Sequence, residues 1–563
     1  MQSGSSVDWI LNQNNREDIL LYSWYNVCVI IYCSGKTSAA SVFLRRRFFY
    51  MQTLFDAIIA LCGKIQIISD LFWDFPTNFE WYANIPVLGN FSLAIILLIG
   101  SGIYFSCRLR FIQVRKFRHG ISVLKNSKAG KAGISPLAAF FLSTAMRVGP
   151  GNILGVTGAI SVGGPGALFW MWVSAFFGMS TAYTESTLAQ IFKERKNDEY
   201  VGGLAFYGKR LLKGSAIAGI VLSLMYIVYA LLCFPAQGFN TVSSVAQIAE
   251  EITGNTIPTN SALYWVSFVV VIALMIAISF GGIKKITKVT DIVVPIMAVI
   301  YILTVVVLII VNFTRIPWFF YAVFTEAFKP ESVFGGAFGI ALVQGVKRGL
   351  MSNEAGQGTI TMPAAASDAK HPCDQGCVQA VGVFLDTMVI CTLTGFVVVM
   401  GRVWQTDTSA EWFDAGKLPK FLYSVQELTP GTAFNTAISV LVSVCFGLFA
   451  FTCLLGFMSF TEICANRISQ KKSFINFIRV LCLIVVSFGV LTSIAGMDLG
   501  ALWNLSDFAN ILIAYCNIPL LYIGFKYVKR ATNHFEKNDG TPFTSKEIGI
   551  SVPTWDEKNK TIK

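Results

Sequence analysis

Charge is scarce in this sequence. Asp, Glu, Lys and Arg make up 13% of its 563 residues, where a soluble domain carries about 25%. With 54% hydrophobic residues and a mean hydropathy of +0.60, that deficit excludes an ordinary water-soluble domain. Histidine is nearly missing too. His119, His371 and His534 all fall in polar segments, which removes histidine-based catalysis from the apolar interior. An enzyme needs an acid–base pair or a nucleophile with its base, and the few acids in apolar runs do not supply one. Zinc-type CxxC pairs are absent: Cys373 and Cys377 form a single CxxxC without a matching second pair. Cys233, Cys391, Cys445, Cys453, Cys482 and Cys516 lie inside apolar runs and read as buried free thiols. The net charge of +12 does not point to nucleic acid. Its basic residues sit in short loops between apolar stretches, where they set membrane topology.

What the sequence has in plenty is apolar length. Each lipid-spanning helix needs about 20 residues, and eleven runs qualify: 90–107, 136–160, 165–191, 216–238, 262–280, 291–312, 333–358, 379–400, 433–456, 476–496 and 502–526. The fold class is therefore an all-α polytopic membrane protein in contact with lipid. The loop "CRLRFIQVRKFRHGISVLKNSKAGK" is densely basic and belongs in the cytoplasm. Alternation then places "KERK" (193–196), "GKRLLK" (208–213), "KKITK" (284–288) and "RISQKK" (467–472) on the same side. Glu250–Glu251 and 411–414 fall outside, the N-terminus outside and the C-terminus inside. The chain thus reads as four parts: an extension over 1–50, an amphipathic lead-in over 51–89, the membrane domain over 90–529, and a polar cytoplasmic tail over 530–563 that is expected to be loose.

One span is broken by design. "RVGPGNILGVTGAISVGGPGALFWMW" (147–172) is apolar, yet it contains Pro150, Pro165 and repeated glycine. Unpaired backbone groups at membrane depth survive only inside protein or along a polar cavity. Pro150 lacks an amide hydrogen, Gly149 and Gly151 permit unusual dihedrals, and Asn152 offers a side-chain oxygen. Freed carbonyls and helix ends suit a small zwitterion and a cation; the alternative is a packing kink with Asn152 bonded to a neighbouring helix. "GGPG" followed by "FWMW" reads as a tight turn and an interfacial aromatic anchor. Gln237 and Asn240 share one helical face, for a ligand or for an interhelical hydrogen bond. Asp386, buried in "FLDT", is a candidate cation ligand; its alternative role is to pair with a basic neighbour near the cytoplasmic face. Arg348, Asn353 and Glu354, in "GVKRGLMSNEAGQGT" (345–359), suit structural or gating contacts.

Taken together, "RVGPGNILGV", "GGPGALFWMW", "GGIKKITKVTDIVVP" (281–295), "GVKRGLMSNEAGQGT" and "FLDT" resemble the alanine or glycine:cation symporter family, a branch of the amino acid–polyamine–organocation superfamily. The likeness runs from about Trp73 to Lys529. It implies eleven helices: one extra, then two inverted repeats of five in the leucine-transporter arrangement, with the second and seventh broken. It implies no cofactor, and a small neutral amino acid, alanine or glycine, driven by sodium. Carried onto this chain, substrate binding falls on Gly149, Gly151, Asn152, Gln237 and Asn240. Ion binding falls on Asn152, Asp386 and Thr452. The family's usual VGTGN reads VGPGN here, its adjacent hydroxyls in the ninth helix read Thr452–Cys453, and its GSAPIAHAAA reads GTITMPAAAS. Thiols are softer ligands than sodium prefers. Proton-coupled or uncoupled transport, or sensing without transport, are the rival readings. Oligomeric state has no signature in the sequence.

Overall fold

The computed structural model describes residues 60–560, apart from 62, 86–87, 129–132, 197–198, 329–336, 402–416, 498 and 538–540. The extension 1–50 and the acidic loop 411–414 lie outside the described residues. The chain divides into two units, Met1–Leu61 and Cys62–Lys563, and the candidate spans among the described residues belong to the second.

Among the described residues, eleven helical spans succeed one another. The first is α1 (Leu93–Arg108). A first set of five comes next. It opens with α2, in two parts, Pro136–Arg147 and Gly151–Gly163, and continues with α3 (Gly166–Ile191), α4 (Ala216–Thr253), α5 (Ala262–Ser279) and α6 (Gly282–Val311). A second set opens with α7, again in two parts, Ala337–Asn353 and Thr361–Ala366, and continues with α8 (Pro372–Gly401), α9 (Thr432–Ile468), α10 (Lys472–Ile494) and α11 (Leu499–Lys537). The sets correspond member by member. Each opens on a broken helix, and each has a short helix before its third span, Leu204–Leu211 and Lys417–Leu428. The third spans, 38 and 37 residues long, are the longest of the first set and nearly the longest of the second. Five is odd, so the second set enters from the opposite side of the first, which is the inverted leucine-transporter-like repeat.

Lipid exposure follows position in the sets. Among the described residues, seven helices are long and apolar enough to span by themselves: α4, α5, α6, α8, α9, α10 and α11. Helix α3 is not one of them, because it faces protein. It buries Ser174, Ser180, Thr181, Thr184, Glu185, Ser186, Thr187 and Gln190. Of these, Ser180 donates to the Gly102 carbonyl of α1, Glu185 accepts from the Gly356 and Gly358 amides, and Gln190 donates to the Ala364 and Ser367 carbonyls, contacts that make such polar side chains tolerable in a span.

The lead-in continues as a helix over 63–74. Its Trp73 indole donates to the Asp507 carbonyl at 3.1 Å, and the Tyr515 hydroxyl donates to the Phe72 carbonyl at 2.9 Å. After α3 the chain makes a small antiparallel hairpin, β1 (Glu194–Lys196) and β2 (Glu199–Val201). The tail departs from expectation. It carries Phe543, Ile548, Val552 and Trp555 among its polar residues, and all four are buried. Trp555 is 1% exposed, and its indole donates to the Gln190 carbonyl at 2.8 Å. Arg530 donates to the Ile548 carbonyl at 2.7 Å. A few apolar anchors spaced along a polar segment are enough to dock it. The described cysteines are free thiols, and most are buried.

Candidate substrate and ion site

Helix α2 starts on Ser135, whose hydroxyl caps the Ala138 amide, and runs to Arg147. Pro150 has no amide hydrogen, so the α pattern stops there. The Gly149 amide finds the Asn152 Oδ1 at 2.9 Å, and the chain resumes through a π turn over Gly151–Gly155. The other end of the Asn152 side chain reaches across two helices. Its Nδ2 lies 2.6 Å from Asp386 Oδ1, 3.1 Å from Ser352 Oγ and 3.3 Å from Cys391 Sγ. Asp386 Oδ2 accepts from Ser352 Oγ at 2.7 Å and from Thr387 Oγ1 at 2.8 Å. Asn152, Ser352, Asp386 and Thr387 thus form one buried polar knot between α2, α7 and α8. Asp386 lies in a second π stretch, Phe384–Cys391, more than three turns into α8. That depth corrects the expectation of a basic partner near the cytoplasmic face: among the described residues Asp386 makes no ion pair, and its partners are an amide and two hydroxyls.

The break in α7 is held from α3. The chain turns left-handed at Glu354 (φ +56), Gly356 (φ +89) and Gly358 (φ +79). The freed amides of Gly356 and Gly358 donate to the two Glu185 carboxylate oxygens at 3.1 and 3.0 Å. Asn517 of α11 completes the clasp, donating to Glu185 Oε2 and to the Gly356 carbonyl, both at 2.9 Å. The Tyr207 hydroxyl donates to Asn517 Oδ1, and that of Tyr226 to the Gln357 carbonyl. Arg147 bridges the ends of the two half-helices: its Nε donates to the Asn353 carbonyl at 3.1 Å and its Nη1 to Gln379 Oε1 at 2.9 Å. A cation there meets the partial negative charge of two helix C-termini. Asn353 Oδ1 caps the Ala355 amide at 3.0 Å. Arg348 and Glu354 do not pair with each other. Arg348 pairs with Asp507 of α11 at 3.2 Å, and Glu354 accepts from Thr359 Oγ1 at 2.7 Å.

Between the two breaks lies a cavity of about 60 Å³, lined by Gly149, Gly151, Gln237, Arg348, Ser352 and Glu354 among others. Of the residues assigned to substrate in the sequence, Gly149, Gly151 and Gln237 line it, and Gln237 Oε1 has no partner among the described residues. Asn152 is committed to the knot. Asn240 lies outside the lining, with Nδ2 unpartnered among the described residues. Thr452 is turned away toward α6: its hydroxyl donates to the Phe449 carbonyl at 3.1 Å and lies 3.5 Å from Met297 Sδ. The next residue, 100° round the helix, takes the place facing α2. Cys453 Sγ donates to the Met146 carbonyl at 3.5 Å. The tryptophans of "FWMW" stay out of the cavity lining, and Trp172 donates to Thr392 Oγ1 at 2.8 Å.

Gly149 permits this approach, since a Cβ there would stand 2.6 Å from Cys453 Sγ. Overpacking of this kind costs about 1–3 kcal/mol. Gly149→Ala is therefore expected to cut uptake about tenfold or more, and a second change, Cys453→Ala, to restore most of it. Equal loss in the single and double variants, measured as initial uptake rate, would refute the contact.

The sodium:alanine symporter family model matches residues 80–547. The chain belongs to that family. Two curated relatives are each 32% identical to it. The amino-acid carrier protein AlsT of Bacillus subtilis aligns over 86% of this chain and 99% of its own, and the sodium/alanine symporter AgcS of Methanococcus maripaludis over 79% and 95%. Among solved structures, MhsT in complex with L-phenylalanine matches with a TM-score of 0.47 and 14% identity, over 76% of this chain and 95% of that one. This family member is a multi-pass membrane transporter for amino acids and not an enzyme.

Several residues of the family member's site carried no assigned role in the sequence. Arg147 and Ser352 sit inside quoted motifs, so their signal was adjacency to Gly149 and Asn353. Glu185 had a clearer one: it is a carboxylate in the middle of an apolar span, which is costly unless used. Asp507 lies in "NLSDFAN", where the same rule applies.

Proposed function

We propose that the chain imports a small neutral amino acid, alanine or glycine, together with sodium by alternating access. The observation that carries this reading is the oxygen knot where the two broken helices meet. Asp386, Ser352 and Thr387 contribute a carboxylate and two hydroxyls within mutual hydrogen-bond reach, and the Asn152 amide donates into them while its own oxygen holds the Gly149 amide. Hard oxygen donors are what a hard monovalent cation prefers. Hydroxyl protons can rotate away to turn donors into ligands, so the set suits sodium with one balancing negative charge. Thr452 and Cys453 are not needed for it.

Next to the knot, the cavity offers the amino acid Gly149 and Gly151 at the α2 break and Gln237 on α4. The substrate carboxylate meets helix-end amides or the cation, and its ammonium meets carbonyls and Glu354. Bounded by the glycine backbone of α2 and by Gln237, Met351 and Phe457, the cavity suits a small side chain. Arg348 with Asp507 gates. Orientation follows the basic segments: the side bearing 193–196, 208–213 and 467–472 is cytoplasmic, as is the C-terminus.

The test is uptake by purified protein in liposomes, with labelled alanine, glycine and serine compared under an inward sodium gradient. Gradient-dependent uptake of alanine or glycine is expected, lost when choline replaces sodium at fixed pH. Unchanged uptake in choline would remove sodium coupling, and no uptake of any of the three would remove the transport reading.

A further inference from the structure

All three histidines of the chain, far apart in sequence, come together around Asp374 and Phe535 at one end of the bundle, beyond the apolar runs 379–400 and 502–526. We propose that two of them, His371 and His534, form a proton-sensitive latch, which holds the C-terminal segment against the α7–α8 connection and releases it when that face is acidified.

The hydrogen bonds fix where the protons are. The Cys373 amide donates to His371 Nδ1 at 3.1 Å, so that nitrogen is an acceptor. His371 Nε2 then carries the ring proton and faces His534 Nδ1 at 3.1 Å. His534 Nδ1 must therefore accept, and its Nε2 carries the proton toward Thr541 Oγ1 at 3.0 Å in the tail. Two neutral rings thus hold two protons in a directed chain that ends on the C-terminal segment. A third proton has no acceptor. On His534 Nδ1 it would face the His371 N–H, and on His371 Nδ1 it would face the Cys373 N–H. Two donors pointed at each other in a closed site repel.

The charged neighbours do not cancel this. Asp374 lies on the His371 helix, where its Oδ2 accepts the His371 amide at 2.9 Å while its Oδ1 is 2.9 Å from His119 Nε2 on the Phe117–Lys125 helix. Glu547 of the tail stands 4.0 Å from His534 Nε2, the edge that is already protonated. Lys116 lies over the Phe535 ring at 5.2 Å, and Arg115 pairs with Glu536 at 2.6 Å. The rings stack at 5.3 Å and 7°, with Phe543 of the tail edge-on to both. Burial outweighs the attraction of Asp374 and pushes the His371 imidazole down to about 4. The sign follows. A histidine whose docked value is depressed favours docking above its free value of about 6.5, and that preference is lost as pH falls toward 4. Between pH 7.5 and 5.5 one such group shifts the docked-to-free ratio about tenfold.

The test is fluorine NMR of the full chain labelled with 5-fluorotryptophan in nanodiscs, reading the Trp555 resonance assigned through Trp555→Phe. A docked line is expected at pH 7.5, with the free-to-docked ratio rising about tenfold at pH 5.5. In His371→Gln/His534→Gln the ratio is expected not to change with pH, while Glu547→Gln is expected to keep the wild-type titration. The latch is overturned by a wild-type ratio that does not move, by a double variant that still titrates, or by loss of the titration in Glu547→Gln. None of these readouts depends on which ion drives transport.

Discussion

Replacing Asp386 by alanine is expected to raise the sodium concentration needed for half-maximal uptake about 100-fold. The carboxylate is the one formal negative charge in the knot, and it accepts from Asn152, Ser352 and Thr387 at once. Removing it leaves those donors buried without their acceptor and a cation without its counter-charge. Breaking a buried charged cluster from one side costs on the order of 3 kcal/mol, and about 1.4 kcal/mol is a factor of ten. Asp386→Asn keeps an acceptor oxygen but loses the charge, so it falls between alanine and wild type. The measurement is initial alanine uptake against sodium concentration, on protein shown to be monodisperse by gel filtration. An unshifted sodium curve in a folded Asp386→Ala protein would move the ion site elsewhere.

The second large effect belongs to Glu185. Alanine there strands the Gly356 and Gly358 amides and leaves Asn517 Nδ2 one acceptor short. Each buried donor left unsatisfied costs about 1–3 kcal/mol. Three such losses are comparable with the whole stability of a typical fold, about 5–15 kcal/mol. Glu185→Ala is expected to accumulate poorly and to melt well below wild type in detergent. Glu185→Gln restores one acceptor but turns an NH₂ group toward the second amide. It should accumulate, melt between the two, and transport slowly, because the unwound part of α7 is no longer clasped on both sides. A wild-type melting curve for Glu185→Ala would show that the clasp does not hold the loop.

Much of the fold was legible because the bilayer simplifies the code. Apolar length marks a span, and the eleven runs read from hydropathy coincide with α1 to α11. The broken α2 was legible too, since Pro150 between two glycines has few other uses at that depth. Pairings across long sequence distances were not. The partners of Asp386 are 234 and 34 residues away, and nothing in "FLDT" names Asn152 or Ser352. Thr452 against Cys453 turns on a rotation of 100°, which no residue count resolves without knowing where α2 lies. The docking of the tail is hidden in the sequence for a different reason. Its composition is polar, but docking depends on Phe543, Ile548, Val552 and Trp555, four residues that an average over the segment hides.

The low hydropathy of α3 has a consequence for how the protein is made. Ribosomes deliver α1, α2 and α3 first, yet none of them belongs to the seven helices that are both long and apolar enough to partition into lipid unaided. Helix α1 has only 16 residues, α2 is interrupted, and α3 carries Glu185. Insertion one helix at a time suits segments that lipid itself accepts. These early spans therefore rest on the protein wall that α4 and its successors supply more than on lipid alone.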